Sequence, residues 1–273
     1  MLNRQVFAVL LALLPLPALA QTIPDDPLGS PVWKDIAAKH FSGAEITFDD
    51  RVKVNVPEVV ENQAQVPITA DARELPNVQK IVVIADLNPI QHVLTYSPAH
   101  TKAQPKISFR MKIEQGTPVR AAALTSDGVW HVGGVFLEAA GGGCSSPAAA
   151  RGEANWAETL GNAQGRAWRQ ADGSSRLRLR VKHPMDTGLA KDNTPAFFIE
   201  RLDVKGKEGN PLASLELFEP VSEDPTVTID VDVPATEGEI NVDGRDNNGN
   251  TYRSTIPVPF NGSGLAGEKR IYR

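Results

Sequence analysis

A chain of 273 residues with 41% hydrophobic and 22% charged side chains has room for one large core or two small ones, and it is neither collagen-like, coiled coil nor wholly disordered. Lys and Arg total 28 against 33 Asp and Glu, a formal charge of −5, so no general basic field exists and no nucleic-acid partner is expected. A single cysteine forbids an internal disulfide and an all-cysteine metal site.

Residues 1–20 read as a secretory signal: Arg4 in the n-region, an apolar stretch from Val6 to Leu14, and Ala18 and Ala20 as the small-residue cleavage pattern, which starts the mature chain at Gln21. The apolar run is shorter than the roughly 20 residues that span a bilayer, so cleavage and export are expected, with no membrane insertion afterwards. Loss of Arg4 leaves 27 basic against 33 acidic residues, a formal net of −6. In an oxidising compartment a lone thiol is open to oxidation and intermolecular coupling, so Cys144 is either incidental or central.

After a polar lead to Gly29, residues 30–41 carry helix signals: Ser30 as cap, Pro31 at the first helical position, Lys39 and His40 near the C-terminal end, and Gly43 as stop. From Ile46 to Leu137 the pattern becomes short β-type runs separated by Pro, Gly, Asn and Asp: 52–56, 65–70, 80–85, 92–96, 106–113, 117–124 and 128–132. Seven short strands in this length match an immunoglobulin-like sandwich.

Between residues 139 and 174 the composition shifts to Ala, Gly, Ser, Gln and Asn, which buries too little apolar surface to offset chain entropy and reads as a flexible linker, with a weak helical turn near Trp156. The second half is again β-type, with runs at 175–183, 197–204, 213–218, 227–233, 238–243 and 250–258. Residues 175–183 alternate strictly, placing Leu177, Leu179 and Val181 on one face and Arg176, Arg178, Arg180 and Lys182 on the other, a ladder read as a solvated strand face. The expected fold is all-β: two immunoglobulin-like β-sandwich domains, 30–138 and 175–262, with one N-terminal helix and a flexible Gly/Ala-rich linker at 139–174.

Other chemistry is weakly signalled. The stretch Asp243 to Asn250 fails the EF-hand spacing, because Arg245 would occupy a ligand position, and Asn248-Gly249 reads as a hairpin turn. His40, His92, His100, His131 and His183 are scattered without ligand spacing, and no G-x-S-x-G elbow is present, so neither a metal nor a cofactor nor an enzyme activity is expected. Cys144 stands apart. Gly141, Gly142 and Gly143 precede it, making a thin, pliable arm that lets the sulfur reach roughly 20 Å from the first domain. No Lys, Arg or His lies within five residues, so activation of the thiol has to come from elsewhere in the fold or from a partner.

The segments Val52 to Pro57, Glu61 to Ile68, Asn88-Pro89, Thr117 to Ala121 and Gly141-Gly142-Gly143-Cys144 resemble SoxY, the periplasmic sulfur carrier whose cysteine sits in a glycine-rich arm. His183-Pro184-Met185-Asp186-Thr187-Gly188, Pro225 to Thr228, Ala235 to Gly238 and Asp246 to Gly249 resemble its partner SoxZ. The fused order is similar to the SoxYZ-like carriers associated with quinoprotein dehydrogenases. The resemblance implies a periplasmic, non-enzymatic carrier with no cofactor of its own, Cys144 as the covalent attachment point, Gly141 to Gly143 as its flexible arm, and Sox-type enzymes or a quinoprotein dehydrogenase system as partners. A non-catalytic accessory module for such a dehydrogenase, with Cys144 vestigial, and a Cys144-linked homodimer remain alternatives.

Overall fold

The computed structural model describes residues 22–99, 101–233 and 238–258. The signal-type segment 1–20 with its cleavage site before Gln21, His100, residues 235–237 of the SoxZ-like motif and the 259–262 end of the second domain lie outside the described residues.

The fold is all-β with one helix. In chain order the elements are α1 (Trp33–His40), β1 (Ile46–Phe48), β2 (Lys53–Asn55), β3 (Val66–Asp71), β4 (Val78–Ala85), β5 (His92–Pro98), β6 (Ala103–Met111), β7 (Thr117–Thr125), β8 (Trp130–Leu137), β9 (Ala163–Arg169), β10 (Ser175–Val181), β11 (Ile199–Gly206), β12 (Pro211–Leu217), β13 (Thr226–Val231), β14 (Glu239–Asp246) and β15 (Thr251–Pro257), with a 3-10 turn at Ala149–Gly152. They form a nine-stranded sheet, β1-β8-β7-β4-β5-β12-β11-β14-β15, facing a six-stranded sheet, β2-β3-β6-β13-β10-β9.

The two immunoglobulin-like halves share both sheets. Strand β5 pairs antiparallel with β12, Thr95 opposite Glu216 and Ser97 opposite Ser214, and β6 pairs with β13, Ser108 opposite Thr228. An apolar edge strand left open is an association hazard, and each of these edges is closed by the other half of the same chain. One core runs across the junction, holding Val83, Tyr96 and Phe109 with Leu177, Leu215 and Ile229. Continuous strand pairing, rather than a tether alone, therefore joins the halves.

Alternation decides the inward faces. Strand β10 buries Ser175, Leu177, Leu179 and Val181 and exposes the arginines between them, as its sequence dictates. Strands β4 and β7 are buried on both faces because α1 covers one of them: Trp33, Ile36, Ala37 and Phe41 pack on Val82, Ile84, Ala122 and Trp130.

The helix begins later than its cap signal suggests. Val32 stands at the N-cap position without a side-chain bond, and the Ser30 hydroxyl is buried without a partner. Asp26 takes over the local turn, accepting the N–H groups of Leu28 and Ser30 at 3.1 and 2.6 Å. Tertiary pairing of Asp26 with Arg120 at 2.7 Å wins over the local cap. The stretch expected as linker also differs: residues 163–169 form β9, the edge of the six-stranded sheet, paired with β10 along its whole length. Its one buried strand residue, Ala167, gives almost no hydrophobic signal. The hairpin at Asn248-Gly249 is present, with Gly249 at φ +87° between β14 and β15.

Candidate functional site

Strand β6 ends at Met111, and the next residues, Lys112 to Glu114, turn along the seam between the halves. Asn88 braces this turn, donating through Nδ2 to the Lys112 carbonyl at 2.9 Å and accepting the Glu114 N–H through Oδ1 at 2.9 Å. The arm that follows β8 lies against it. Gly142 N–H donates to the Glu114 carbonyl at 3.1 Å and Gly143 N–H to the Ile113 carbonyl at 2.9 Å.

The glycines allow this close approach. A Cβ on Gly141 would stand 2.3 Å from the Glu114 carbonyl oxygen, at a φ of +102°, and one on Gly143 would stand 2.2 Å from the Gln63 carbonyl oxygen. Gly142, with open space around it, sits at φ +87°. The expected free arm is thus a docked one in this structure: the glycines that make it pliable also let it fit a groove that no side chain could share.

Cys144 is consequently buried, with 1% of its surface exposed. The Glu114 carboxylate grips the backbone around it, accepting the N–H groups of Cys144 and Ser145 on Oε2 at 2.9 and 3.0 Å and the Ser145 hydroxyl on Oε1 at 2.9 Å. From the other half, the Thr187 hydroxyl donates to the Cys144 carbonyl at 2.6 Å. The thiol points at the Lys112 carbonyl, 3.7 Å away. Burial pushes the Cys144 thiol up to about 12; the Lys112 ammonium pulls against this and the Glu114 carboxylate adds to it. A thiol in this state is protonated and sheltered from solution, and it reaches a second copy or an enzyme only by undocking.

Lys112 is the charged group of the seam. Its ammonium donates to the carbonyl oxygens of Met185, of Glu219 at 3.0 Å and of Val221 at 3.1 Å, all from the second half. Burial lowers it to about 8, with Cys144 and the acids Asp186, Glu223 and Glu219 opposing. Among the described residues no carboxylate lies within ion-pair distance of it, so its direct partners are carbonyl oxygens, with Asp186, Glu223 and Glu219 acting on it from further off.

The loop that meets the arm, His183 to Gly188, is locally strained and locally supported. Met185 holds φ +50°; its N–H donates to His183 Nδ1 at 3.1 Å, and its sulfur accepts the Ile199 N–H at 3.2 Å. Asp186 bridges to Phe197 through its backbone and holds Arg151 Nε at 2.8 Å, which ties the chain downstream of Cys144 to the same loop. His183, lowered to about 4 by burial, lies 3.7 Å from Asp246 and is a neutral packing group.

The structure thus brings Gly141, Gly142, Gly143 and Cys144 together with Thr187 of the His183 to Gly188 segment, and adds Lys112, Glu114 and Asn88. Lys112 and Glu114 were not singled out by sequence reasoning, because their role depends on a contact about 30 residues along the chain. Among the described residues no three His, Cys, Asp or Glu side chains are placed to hold a metal ion, and no helix is long and apolar enough to cross a membrane.

The family model described as sulfur oxidation protein SoxY matches residues 37–144, and that described as sulphur oxidation protein SoxZ matches residues 165–257. No curated protein matches the chain. Among solved structures, the sulfur carrier protein SoxY from Chlorobium limicola f thiosulfatophilum is 20% identical, covering 38% of this chain and 89% of that one with a TM-score of 0.34. A tetra-tandem repeat from the extending region of a large adhesion protein is 10% identical over 76% of this chain and 48% of its own, with a TM-score of 0.23. A family 2 glycosyl hydrolase from Bacteroides cellulosilyticus is 13% identical over 74% and 25%, with a TM-score of 0.21. At these scores the assignment rests on the two family models, which fall one on each half of the fold, the first ending at Cys144 and the second beginning at residue 165. With a SoxY domain followed by a SoxZ domain in one polypeptide, the chain is a fused SoxYZ-like protein of the Sox-type sulfur-carrier family.

Proposed function

We propose that the protein is a periplasmic carrier that holds a sulfur-containing intermediate covalently on Cys144 and delivers it to partner oxidoreductases. The observation that carries this reading is the end of the SoxY match on Cys144 itself, at the tip of a glycine arm docked across both halves. Residues 30–138 and 175–262 act as the SoxY-like and SoxZ-like domains, and the 139–174 segment as the carrier arm between them. In the docked state the thiol is protonated and shielded; undocking exposes it to a partner. Joining Cys144 to the outer sulfur of thiosulfate forms one S–S bond, releases the thiol proton and passes two electrons to the partner oxidoreductase, so the carrier needs no catalyst of its own.

A second reading has its own support. The arm is held at both ends, upstream by the strand pairing of β8 and downstream by Arg151 on Asp186, and its thiol is raised to about 12. Both features favour an accessory module for a quinoprotein dehydrogenase system in which Cys144 is silent. Intact-mass analysis of the protein purified from its native periplasm separates the two. The carrier reading expects an adduct on Cys144 that is absent from Cys144→Ser; a bare thiol together with full pathway activity of the Cys144→Ser strain overturns it.

A further inference from the structure

The outward faces of the two sheets treat charge differently. On the nine-stranded sheet, the second half sets its charges in pairs: Arg201 with Asp203 at 2.9 Å, Lys205 and Arg253 with Asp243 at 2.9 and 2.7 Å, and Arg245 with Glu200 at 2.8 Å. On the six-stranded sheet a groove of about 320 Å³ is lined by Gln65, Arg110, Arg178, Arg180, Glu223, Asp224 and Thr226. There Arg110 of β6 and Arg178 of β10 are exposed and have no carboxylate within ion-pair distance among the described residues.

The two acids of the groove are already engaged. Asp224 accepts the His183 N–H at 3.1 Å and pairs with Arg180 at 2.6 Å and Lys182 at 3.0 Å. Glu223 accepts the Ala150 N–H at 3.1 Å. Strand register sharpens the imbalance: Arg166 of β9 stands directly opposite Arg178, a like-charged cross-strand pair that costs stability unless an anion sits between. In a chain of formal charge −5, this concentration of unpaired guanidinium groups runs against the overall field.

We infer that this groove is a binding subsite for a doubly charged tetrahedral oxyanion of the sulfate and thiosulfate class. Guanidinium forks on Arg110 and Arg178 match the oxygen edges of such an anion, with the second amide hydrogen of Gln65 as a neutral donor; the other goes to the Glu223 carbonyl, and the Thr226 hydroxyl is committed to the Asp224 carbonyl. The volume admits the anion with several waters, each needing about 30 Å³. The groove adjoins the carrier arm, since Glu223 on its wall anchors Ala150. From that anchor the six residues back to Cys144 span up to about 20 Å when extended, so an undocked arm can lower the anionic end of its cargo into the groove. The identity of the oxyanion rests on the carrier reading; the groove and its charge do not.

Calorimetric titration of the full chain with sodium sulfate and with sodium thiosulfate, each against sodium chloride at equal ionic strength, tests the subsite. Saturable binding is expected for both anions in wild type and in Cys144→Ala. It should weaken at least tenfold in Arg110→Gln and Arg178→Gln, weaken less in Arg178→Lys, which keeps the charge but loses the fork, and stay unchanged in Arg201→Gln on the opposite face. Circular dichroism of each variant secures the comparison. Absence of saturation beyond the chloride control, or equal weakening in Arg201→Gln, overturns the subsite. So does binding of poly-L-glutamate without binding of either small anion, which marks the face as a dock for an acidic protein. None of these results bears on the Cys144 adduct, so the subsite and the carrier reading fail separately.

Discussion

Two cations are buried to nearly the same depth in this molecule and are stabilised in opposite ways. Arg120 of β7, 1% exposed, forks onto Asp86 at 2.9 and 3.0 Å, reaches Asp26 at 2.7 Å and lies against the Trp33 ring. Lys112, 4% exposed, donates to three backbone carbonyl oxygens and, among the described residues, has no carboxylate within ion-pair distance. The first arrangement neutralises the cation locally and pins the N-terminal segment beneath α1. The second leaves a positive charge without a direct carboxylate partner beside Cys144, where it opposes the rise of the thiol's pKa. A fully paired charge is structural material; an unpaired one at a seam is free to act on something else.

The largest test of that contrast is Arg120→Ala. It strands Asp86 and Asp26 in the core, and removal of one member of a buried ion pair costs about 3–5 kcal/mol. The shift of the denaturation midpoint at unchanged slope measures it; a loss below about 1 kcal/mol would break the distinction between the two cations.

Alkaline pH separates the two cations next. Arg120 keeps its charge throughout the accessible range. Lys112 is depressed from 10.5 to about 8, so the unfolded chain binds more protons between these values and stability rises with pH across that window. Cys144 is raised from 9.0 to about 12, so the folded chain holds the extra proton and stability falls as pH climbs from 9 towards 12. Each contribution is on the order of 3–4 kcal/mol at most. The two windows overlap from about 9 to 10.5, where the slopes cancel, so wild-type stability should rise from about pH 8, level off across the overlap and fall beyond it, and Cys144→Ala should keep the rise and lose the alkaline fall. An unchanged fall in Cys144→Ala would mean that the thiol is not held as the docked geometry requires.

Smaller in free energy is Gly143→Ala, whose Cβ meets the Gln63 and Ile113 carbonyl oxygens at 2.2 and 2.6 Å. Overpacking of about 1–3 kcal/mol acts on the docked arm alone, and roughly 1.4 kcal/mol per decade converts it to about five- to hundredfold faster alkylation of Cys144. The denaturation midpoint of the folded halves should scarcely move. Equal alkylation rates in the two proteins would show that the arm is not docked in solution.

How much of this was legible in the sequence differs from element to element. The alternation in β10, the hairpin at Asn248-Gly249 and the apolar runs of β4 and β7 are local patterns, and they read correctly because the inward face is fixed by the chain itself. Strand β9 was hidden because it is an edge strand with one buried residue, and Ser30 misled because Asp26 is claimed by Arg120 from 94 residues away. Cys144 and its glycines were visible, yet the same glycines serve mobility and close docking equally well, and only the positions of the Gln63 and Glu114 carbonyls decide between them. Sharing of both sheets across the halves left no local trace, since β5 and β6 would look the same with any strand closing their edges.

The smallest effect expected is that of Thr187→Val, and it addresses the second half's share of the grip on the arm. Glu114 holds the arm through three hydrogen bonds from the first half, whereas Thr187 contributes a single hydroxyl to the Cys144 carbonyl at 2.6 Å. Valine keeps the volume and removes the donor, leaving a buried carbonyl with one partner fewer, which costs about 1 kcal/mol. Alkylation of Cys144 should quicken about fivefold without a comparable loss of global stability, because the opening that exposes the thiol is local. A rate identical to wild type would assign the latch to Glu114 and the first half alone. A rate matching that of Gly143→Ala would instead make the contact between the halves the dominant lock, and Lys112, whose carbonyl partners all come from the second half, would then belong to the same device.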